Sequence, residues 1–502
     1  MEDLLKEKIE LEARRRLKKW RKEAKDRKKR YERFQKKTGM QGPFLPLAEP
    51  ALWGQFNQFN PFYCIKKSKY LARVIVRKVR EGTYKPQSSV RHEIPKPNGS
   101  VRLVDAFGIP DAALCTYLSS ALRERNDRIF SAYSYAYRPG VKPIDAIARL
   151  AIFIKSEKVF ASNYDFKDYF GSVSHDYIHK EVLNSRKFKI TNFEKTVISA
   201  LLTHEFITKS GEKKARSLGF PQGNSLSLFL ANAVGDSLDR LLDKSNGNYL
   251  RYADDSIVIT YSYEDSIKAM AAYSEFSQLT RVKINTSKET GISIVSDREG
   301  EMRTQKSLAF LGYELSKNKI TLTEVAKSKL KSRCSKIIYR NLLMYPKRLK
   351  CIPSGRVDRF GADWDLLACI SELRFMLYGH LSHDRVKKYL DGRSRLKSMP
   401  GSISYYCLVE AVADFSELDG WLVWAVSRAL VERYKYPLYD VGISKPLMPA
   451  NDELIDGSWL KSHRRFEGRL PSFVLAWRAA RKAWFSYGNL GVNDGRDVYE
   501  LQ

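Results

Sequence analysis

The first 38 residues hold no proline or glycine, and Ala13, Leu17, Trp20, Ala24, Tyr31 and Phe34 recur at an approximate three-and-four spacing. That spacing predicts one long helix with a narrow apolar stripe, interrupted at Arg27. A stretch rich in Gly, Pro, Asn and Gln from Gly39 to Pro61 reads as a linker, and a basic helical pattern resumes from Tyr63 to about Arg80. Further helical periods run over Ile109 to Arg125, Pro143 to Lys155, from Asn224 to about Leu242, Glu324 to Tyr345, Asp363 to Tyr378, Ser402 to Phe415 and Leu418 to Tyr434. In the last of these, Leu422, Val426 and Leu430 mark a core-facing stripe, and Trp421 and Trp424 are expected in the core with them.

Strand-like runs fall between the helices. Arg91 to Asp105 reads as a hairpin around Pro97-Asn98-Gly99, with Lys96 and Arg102 on facing arms. An apolar strand from Val159 ends at Asp165, and Asn248 to Tyr261 reads as a second hairpin with Asp254 and Asp255 at its turn. Adjacent carboxylates repel, so a tight turn holding two of them points to a divalent cation. Lys96 and Arg102 together make a candidate triphosphate clamp. Between the two acidic sites lies Gly219-Phe220-Pro221-Gln222-Gly223, whose glycines allow close backbone approach to a ligand. His175 and His179 share one helical face beyond a Ser174 cap, yet they lack the intervening Glu and a third ligand that a zinc site needs, so a surface helix is expected. Asp168, three residues past Asp165, is expected to cap or to salt-bridge rather than to bind metal.

Composition narrows the class of partner. The 502 residues carry 88 Lys and Arg against 57 Asp and Glu, a formal net charge of +31, and residues 1–38 alone hold 17 against 8. Such a surplus favours a polyanion, nucleic acid before membrane, and no run of apolar residues is long enough to span a bilayer. The charged N-terminus lacks a signal-peptide core, which predicts a cytoplasmic protein. Six scattered cysteines without a Cys-x-x-Cys pair predict buried thiols, neither a disulfide framework nor a zinc knuckle. The basic first helix is expected to grip RNA, to self-associate, or simply to pack on its own protein. Cations and aromatics interleave in the tail at Arg464, Arg465, Phe466, Arg469, Trp477, Arg478, Arg481, Lys482, Trp484 and Phe485, which suits RNA contact or an amphipathic packed helix.

A strand ending in Asp165, a Gly-rich loop and a Tyr252-Ala253-Asp254-Asp255 hairpin, in that order over about ninety residues, resemble the palm of the reverse transcriptases. Ile284-Asn285 with Lys288 looks like that family's next motif, and Phe310-Leu311-Gly312-Tyr313 like its primer-gripping hairpin. Tyr135 to Gly140 resembles a Tyr-Gly-Phe-Arg-Pro-Gly segment of bacterial group II intron and retron enzymes, and the likeness spans residues 60 to 345. It implies an α+β right-hand polymerase with a basic N-terminal helix (1–40), fingers and N-terminal region (41–150), palm (151–320), helical thumb (321–395) and a helical basic C-terminal extension (396–502).

The same likeness implies DNA synthesis on RNA by phosphoryl transfer through two Mg²⁺ ions, with Mn²⁺ as an alternative. Asp165, Asp254 and Asp255, with the backbone of Phe166, would be the metal ligands. Lys96, Arg102, Gln222, Gly223, Tyr252 and Lys288 would bind the nucleotide, and Phe170 would exclude a 2′-hydroxyl and so select dNTPs. The basic face at Lys327, Lys329, Lys331, Arg333, Lys336 and Arg340 would track duplex as part of the thumb. Ser227-Leu228, where many relatives read Ser-Pro, and Asn224 lean towards the bacterial phage-defence enzymes, some of which copy a dedicated noncoding RNA. The partners implied are a noncoding RNA serving as template or scaffold, the DNA product and dNTPs, with homo-oligomerisation through the first helix and no membrane. Competing readings are a group II intron-type reverse transcriptase with maturase activity, and a non-catalytic RNA-binding scaffold.

Overall fold

In the computed structural model the first helix runs from Glu2 to Thr38, and the side it buries begins earlier than its aromatic positions imply. Leu5, Ile9 and Ala13 are at most 1% exposed, one helical turn apart, and join a core that also holds Cys64, Val76, Leu114 and Leu118. Burying Leu5 and Ile9 contributes about 1.5–3 kcal/mol each. Two polar contacts fix the docking: Ser68 Oγ donates to Glu10 at 2.9 Å, and Arg16 Nη2 donates to the Phe107 carbonyl at 3.0 Å. Residues 1–38, 43–95, 99, 101–285, 291–298, 301–353, 355–439, 445–446, 448–460 and 466–493 are described here.

The chain folds as two units. One comprises Met1–Arg27, Pro46–Ala146 and Ser156–Lys306, the other Lys28–Leu45, Ile147–Lys155 and Ser307–Gln502. In the first, a five-stranded sheet has the order Thr304–Gln305, Ser293–Val295, Phe160–Tyr164, Asp255–Thr260, Asn248–Tyr252. Its middle strands are almost wholly buried, Phe160–Tyr164 through its aromatic residues and Ala161, and Asp255–Thr260 through Ile257, Val258 and Ile259. Helix Ser225–Asp243 packs on both Ile109–Asn126 and Tyr263–Thr280, and most of its residues are buried. A second sheet has the order Val101–Ala106, Ser89–Pro95, Glu205–Ile207, Lys213–Ala215, with the first pair antiparallel and the next parallel. The expected linker is more than that: it contains helix Ala51–Gln55 and a tight turn at Asn57–Phe59, and Trp53 and Phe59 pack with Leu17.

In the second unit, strands Leu308–Phe310, Tyr313–Leu315 and Ile320–Leu322 form an antiparallel meander beside helices Glu324–Ile338, Trp364–Tyr378, Val412–Arg433 and Phe473–Tyr487. Arg433, fully buried, is bound by Asp363 at 2.7 Å and Asp365 at 2.9 Å. Several expectations need correction here. Ser402 to Phe415 is not one helix, because Ser402–Tyr406 forms only a short tight turn and the following helix starts at Val412. Between the two, the Val409 carbonyl accepts from Trp477 Nε1 at 2.9 Å and Arg481 Nη1 at 2.8 Å, and Glu410 N–H donates to the Ile320 carbonyl at 2.8 Å, so this backbone is bonded outside any helix. Trp424 is 53% exposed rather than buried.

The basic helix from Glu324 is also less available than its sequence suggests. Lys327 is buried against Asp414 at 3.0 Å, Lys331 bonds Glu417 at 2.7 Å, and Arg340 bonds Glu372. Lys329, Arg333 and Lys336 make no ion pair among the described residues. In the tail, Trp477 stacks on Phe415, Arg481 donates to the Val409 carbonyl, and Lys482 caps the Tyr389 and Leu390 carbonyls at a helix end. Those cations and rings therefore serve packing. Arg464 and Arg465 lie outside the described residues. All six cysteines are free thiols, five of them buried.

Candidate active site

Tyr252 and Asp255 close the hairpin as a pair, so Ala253 and Asp254 form a two-residue connection. Ala253 has φ 59°, a left-handed conformation that costs an L-residue about 1–2 kcal/mol. On the other flank, Tyr164 pairs with Ser256, which brings the next residue, Asp165, to the same end of the sheet as Asp255. All three carboxylates are half-buried. Asn285 holds Asp165 at two points: its Nδ2 donates to Oδ2 at 2.9 Å and its backbone N–H to the Asp165 carbonyl at 2.8 Å. Behind them Tyr164 stacks on Tyr273 at 3.7 Å, and the Tyr273 hydroxyl donates to Ser256 Oγ at 2.7 Å. Phe166 buries its ring against Phe276 and pairs its main chain with Ile284.

The glycine loop is stitched between two neighbours. Gly219 and Phe220 donate backbone N–H groups to the carbonyls of Val173 and Phe170, each at 2.8 Å, and an added Cβ at Gly219 would meet the Phe170 oxygen at 2.3 Å. At its other end the Gln222 carbonyl accepts from Asp105 N–H at 2.8 Å, and Gly223, with φ 97°, has Asp105 O 2.8 Å from where a Cβ would stand. Phe170, Gln222, Gly223 and the strand carrying Arg102 are thus gathered by backbone contacts. Asp105 is 1% exposed. Burial pushes its carboxyl up, but Arg91 at 2.8 Å and Arg216 at 2.6 Å outweigh that and hold it below the ordinary carboxylate range.

Sequence reasoning did not single out Tyr137. Its ring centre lies 6.5 Å from that of Tyr252, and its φ is 58°. Burial first, then the negative charge of Asp254, raise its hydroxyl pKa, with Arg102 opposing. Tyr137, Arg102, Asp254 and Asp255 therefore share one electrostatic environment. The signal was present in Tyr135 to Gly140, where Arg138 pins the segment to Asp127 at 2.9 Å and to the Ser131 carbonyl at 2.7 Å.

Asp168 stands at the N-cap position of the short helix Tyr169–Ser172, but its carboxylate makes no capping hydrogen bond, and it forms no ion pair among the described residues. It adopts φ 50°, and its carbonyl accepts from Gly171 N–H and Ser172 Oγ. His175 turns its Nε2 to the Gly219 carbonyl at 2.8 Å, so it braces the glycine loop. Lys96 and Lys288 lie outside the described residues. Among the described residues, no group of three or more His, Cys, Asp or Glu stands close enough to hold a metal ion. The donors at the strand ends are carboxylate oxygens, the ligand type that hard divalent cations take.

A comparison with curated proteins gives no match. Solved structures similar to this chain include telomerase from Candida albicans in complex with a TWJ fragment of telomeric RNA, at 14% identity and a TM-score of 0.39, covering 74% of this chain and 68% of that one. Telomerase from Candida tropicalis in complex with a TWJ fragment of telomeric RNA aligns at 13% identity and 0.36, over 74% of this chain and 66% of that one. Apo telomerase from Candida tropicalis, truncated from its C-terminal domain, aligns at 15% and 0.35, over 52% of this chain and 60% of that one. This chain thus spans only about three-fifths of the apo chain it matches. Residues 94–315, which hold Arg102, Asp165, Phe170, the Gly219–Gly223 loop and the Asp254–Asp255 turn, match the family described as reverse transcriptase (RNA-dependent DNA polymerase), and the chain therefore carries a reverse transcriptase domain.

Proposed function

We propose that the chain extends a primer 3′-hydroxyl with dNTPs on an RNA template, using Asp165, Asp254 and Asp255. The observation that supports this best is the strand register, Tyr164 opposite Ser256 and Tyr252 opposite Asp255, within a stretch matched by the reverse transcriptase family. Two Mg²⁺ ions, or Mn²⁺, held by the three carboxylates and the Phe166 main chain, would supply Lewis-acid stabilisation of the attacking and leaving oxygens. The protein's own part is positional. Asn285 fixes Asp165, Gly223 permits close approach to the nucleotide beside Gln222, and Tyr252 borders it. Phe170, edge-on to Phe220 at 5.1 Å, is the residue that would crowd a 2′-hydroxyl. Arg102 would bind the triphosphate, with Lys96 and Lys288 assisting.

The finer reading is a bacterial, cytoplasmic enzyme bound to a noncoding RNA and acting in antiviral defence, in a right-hand arrangement of fingers, palm and thumb. Its support lies in Ser227-Leu228 and in the net charge of +31. Asn224, the other departure, has a structural reason of its own: its side chain caps helix Ser225–Asp243 through Leu226 N–H at 2.9 Å. Self-association through the first helix has less support, since Leu5, Ile9, Ala13 and Leu17 face their own unit.

Primer extension separates an enzyme from a scaffold. On an RNA template with a DNA primer, wild type should add dNTPs in Mg²⁺, and Asp254→Ala/Asp255→Ala should lose at least about 10³-fold while keeping its RNA affinity. Equal extension by the double variant would refute the assignment of these carboxylates.

A further inference from the structure

Beneath the Ala253-Asp254 turn lies a charged side chain that the reading above leaves without a task. Arg251 is 1% exposed. Its Nε and Nη2 hold both oxygens of Asp239 at 2.8 and 2.7 Å, and Nη2 also donates to Ser134 Oγ at 2.8 Å. Nη1 reaches back to the turn and donates to the Ala253 carbonyl at 3.2 Å, with Asn232 Oδ1 at 3.4 Å. The anchors come from different elements, Asp239 and Asn232 from helix Ser225–Asp243 and Ser134 from the segment leading to Tyr137.

Gly235 lies one turn before Asp239 on that helix. An added Cβ there would lie 2.5 Å from Arg251 Nη1 and 2.6 Å from Cζ. Alanine is the better helix former, so glycine in the middle of a buried helix is explained by the clearance the guanidinium needs. Arginine suits the post because its planar fork presents donors in fixed directions. One edge can grip both oxygens of a carboxylate while the opposite nitrogen reaches a carbonyl, a span that the single nitrogen of a lysine does not cover.

We infer that Arg251 is a positioning residue for the Asp254–Asp255 turn: anchored on Asp239 and Ser134, it holds the Ala253 carbonyl and thereby keeps Ala253 left-handed and the carboxylates in place. The inference rests on the reading of Asp254 and Asp255 as catalytic groups. It assigns Arg251 an effect on turnover that a residue serving hairpin stability alone would not have.

The test uses the full chain. Arg251→Met/Asp239→Leu replaces the buried pair with apolar groups, an exchange that often preserves stability. Gly235→Ala keeps both partners and crowds the guanidinium out of place, so it decides the matter if the first variant does not fold. Each is made with and without Ala253→Gly, because glycine adopts positive φ without penalty and needs the strut less. Thermal midpoint, kcat and the KM for dNTP are measured by primer extension, alongside Asp254→Ala. Both variants should lose about 10- to 100-fold in kcat with KM within about threefold, and Ala253→Gly should return at least about threefold of the loss. Wild-type kcat in a folded variant, or a loss that Ala253→Gly does not recover, overturns the inference. If Asp254→Ala itself retains synthesis, it is the reading of the carboxylates that fails. If Asp254→Ala is inactive while the Arg251 and Gly235 variants turn over normally, only the positioning role falls.

Discussion

Phe170 stands edge-on to Phe220 at 5.1 Å, and its carbonyl is tied to the glycine loop by Phe220 N–H, so its position is fixed from two sides. In the proposed role, a side chain held this way would discriminate by volume. Phe170→Val should raise incorporation of ribonucleotides relative to deoxyribonucleotides by about 10-fold or more, read as the ratio of kcat/KM values, with dNTP use little changed. An unchanged ratio would remove Phe170 from sugar selection. Single residues were legible in the sequence where the chemistry is local: Asp254 and Asp255 declare themselves at a turn between two β-rich runs. Arg251 was not legible, since its meaning depends on Asp239 in the preceding helix, on the missing Cβ of Gly235 and on Ser134 far upstream, which only the folded chain brings together.

Elements show the same division. The Gly219–Gly223 loop could be recognised by its glycines, but what each glycine does depends on its neighbours. Gly219 has φ 65° and no room for a Cβ against Phe170 and Gly171, whereas Gly211 has φ 87° and nothing within 4 Å. Gly219→Ala should therefore cost about 2–4 kcal/mol, strain plus clash, against about 1 kcal/mol for Gly211→Ala. Paired thermal or chemical unfolding measures this, and equal losses would show that the loop is not braced on Phe170. The hairpin at Leu311-Gly312 is built like the acidic one: Leu311 is left-handed at φ 52°, and the Tyr405 hydroxyl donates to its carbonyl at 2.9 Å. Long helices such as Glu2–Thr38 and Trp364–Tyr378 were legible, the first from its lack of Pro and Gly more than from its interrupted stripe. The Ser402 to Phe415 stretch departs from its apolar spacing because the backbone of Val409 and Glu410 is bonded to Trp477, Arg481 and Ile320 rather than along a helix, and the two readings of the basic tail stayed open in the sequence because periodicity does not say whether a cation faces solvent or a carbonyl.

For the molecule as a whole, a formal charge of +31 remains after the internal ion pairs are formed. On the first helix, Lys18, Lys19, Arg21, Lys22 and Lys25 are exposed, while the buried side carries the apolar residues. Among the described residues no helix is long and apolar enough to cross a membrane. Charge of this kind is sequence-independent in what it attracts, so it suits a polyanion such as the proposed RNA and leaves the choice of RNA to other contacts. The measurement that tests the account most directly is therefore made on the protein together with any RNA that co-purifies. The chain is purified with that material, given each labelled dNTP and Mg²⁺, and any RNA and the product are sequenced, with Asp254→Ala/Asp255→Ala in parallel. The account predicts DNA complementary to the bound RNA from wild type, and the same RNA without DNA from the variant. DNA made equally by the variant, or no DNA from wild type even on an added RNA template and primer, would contradict it.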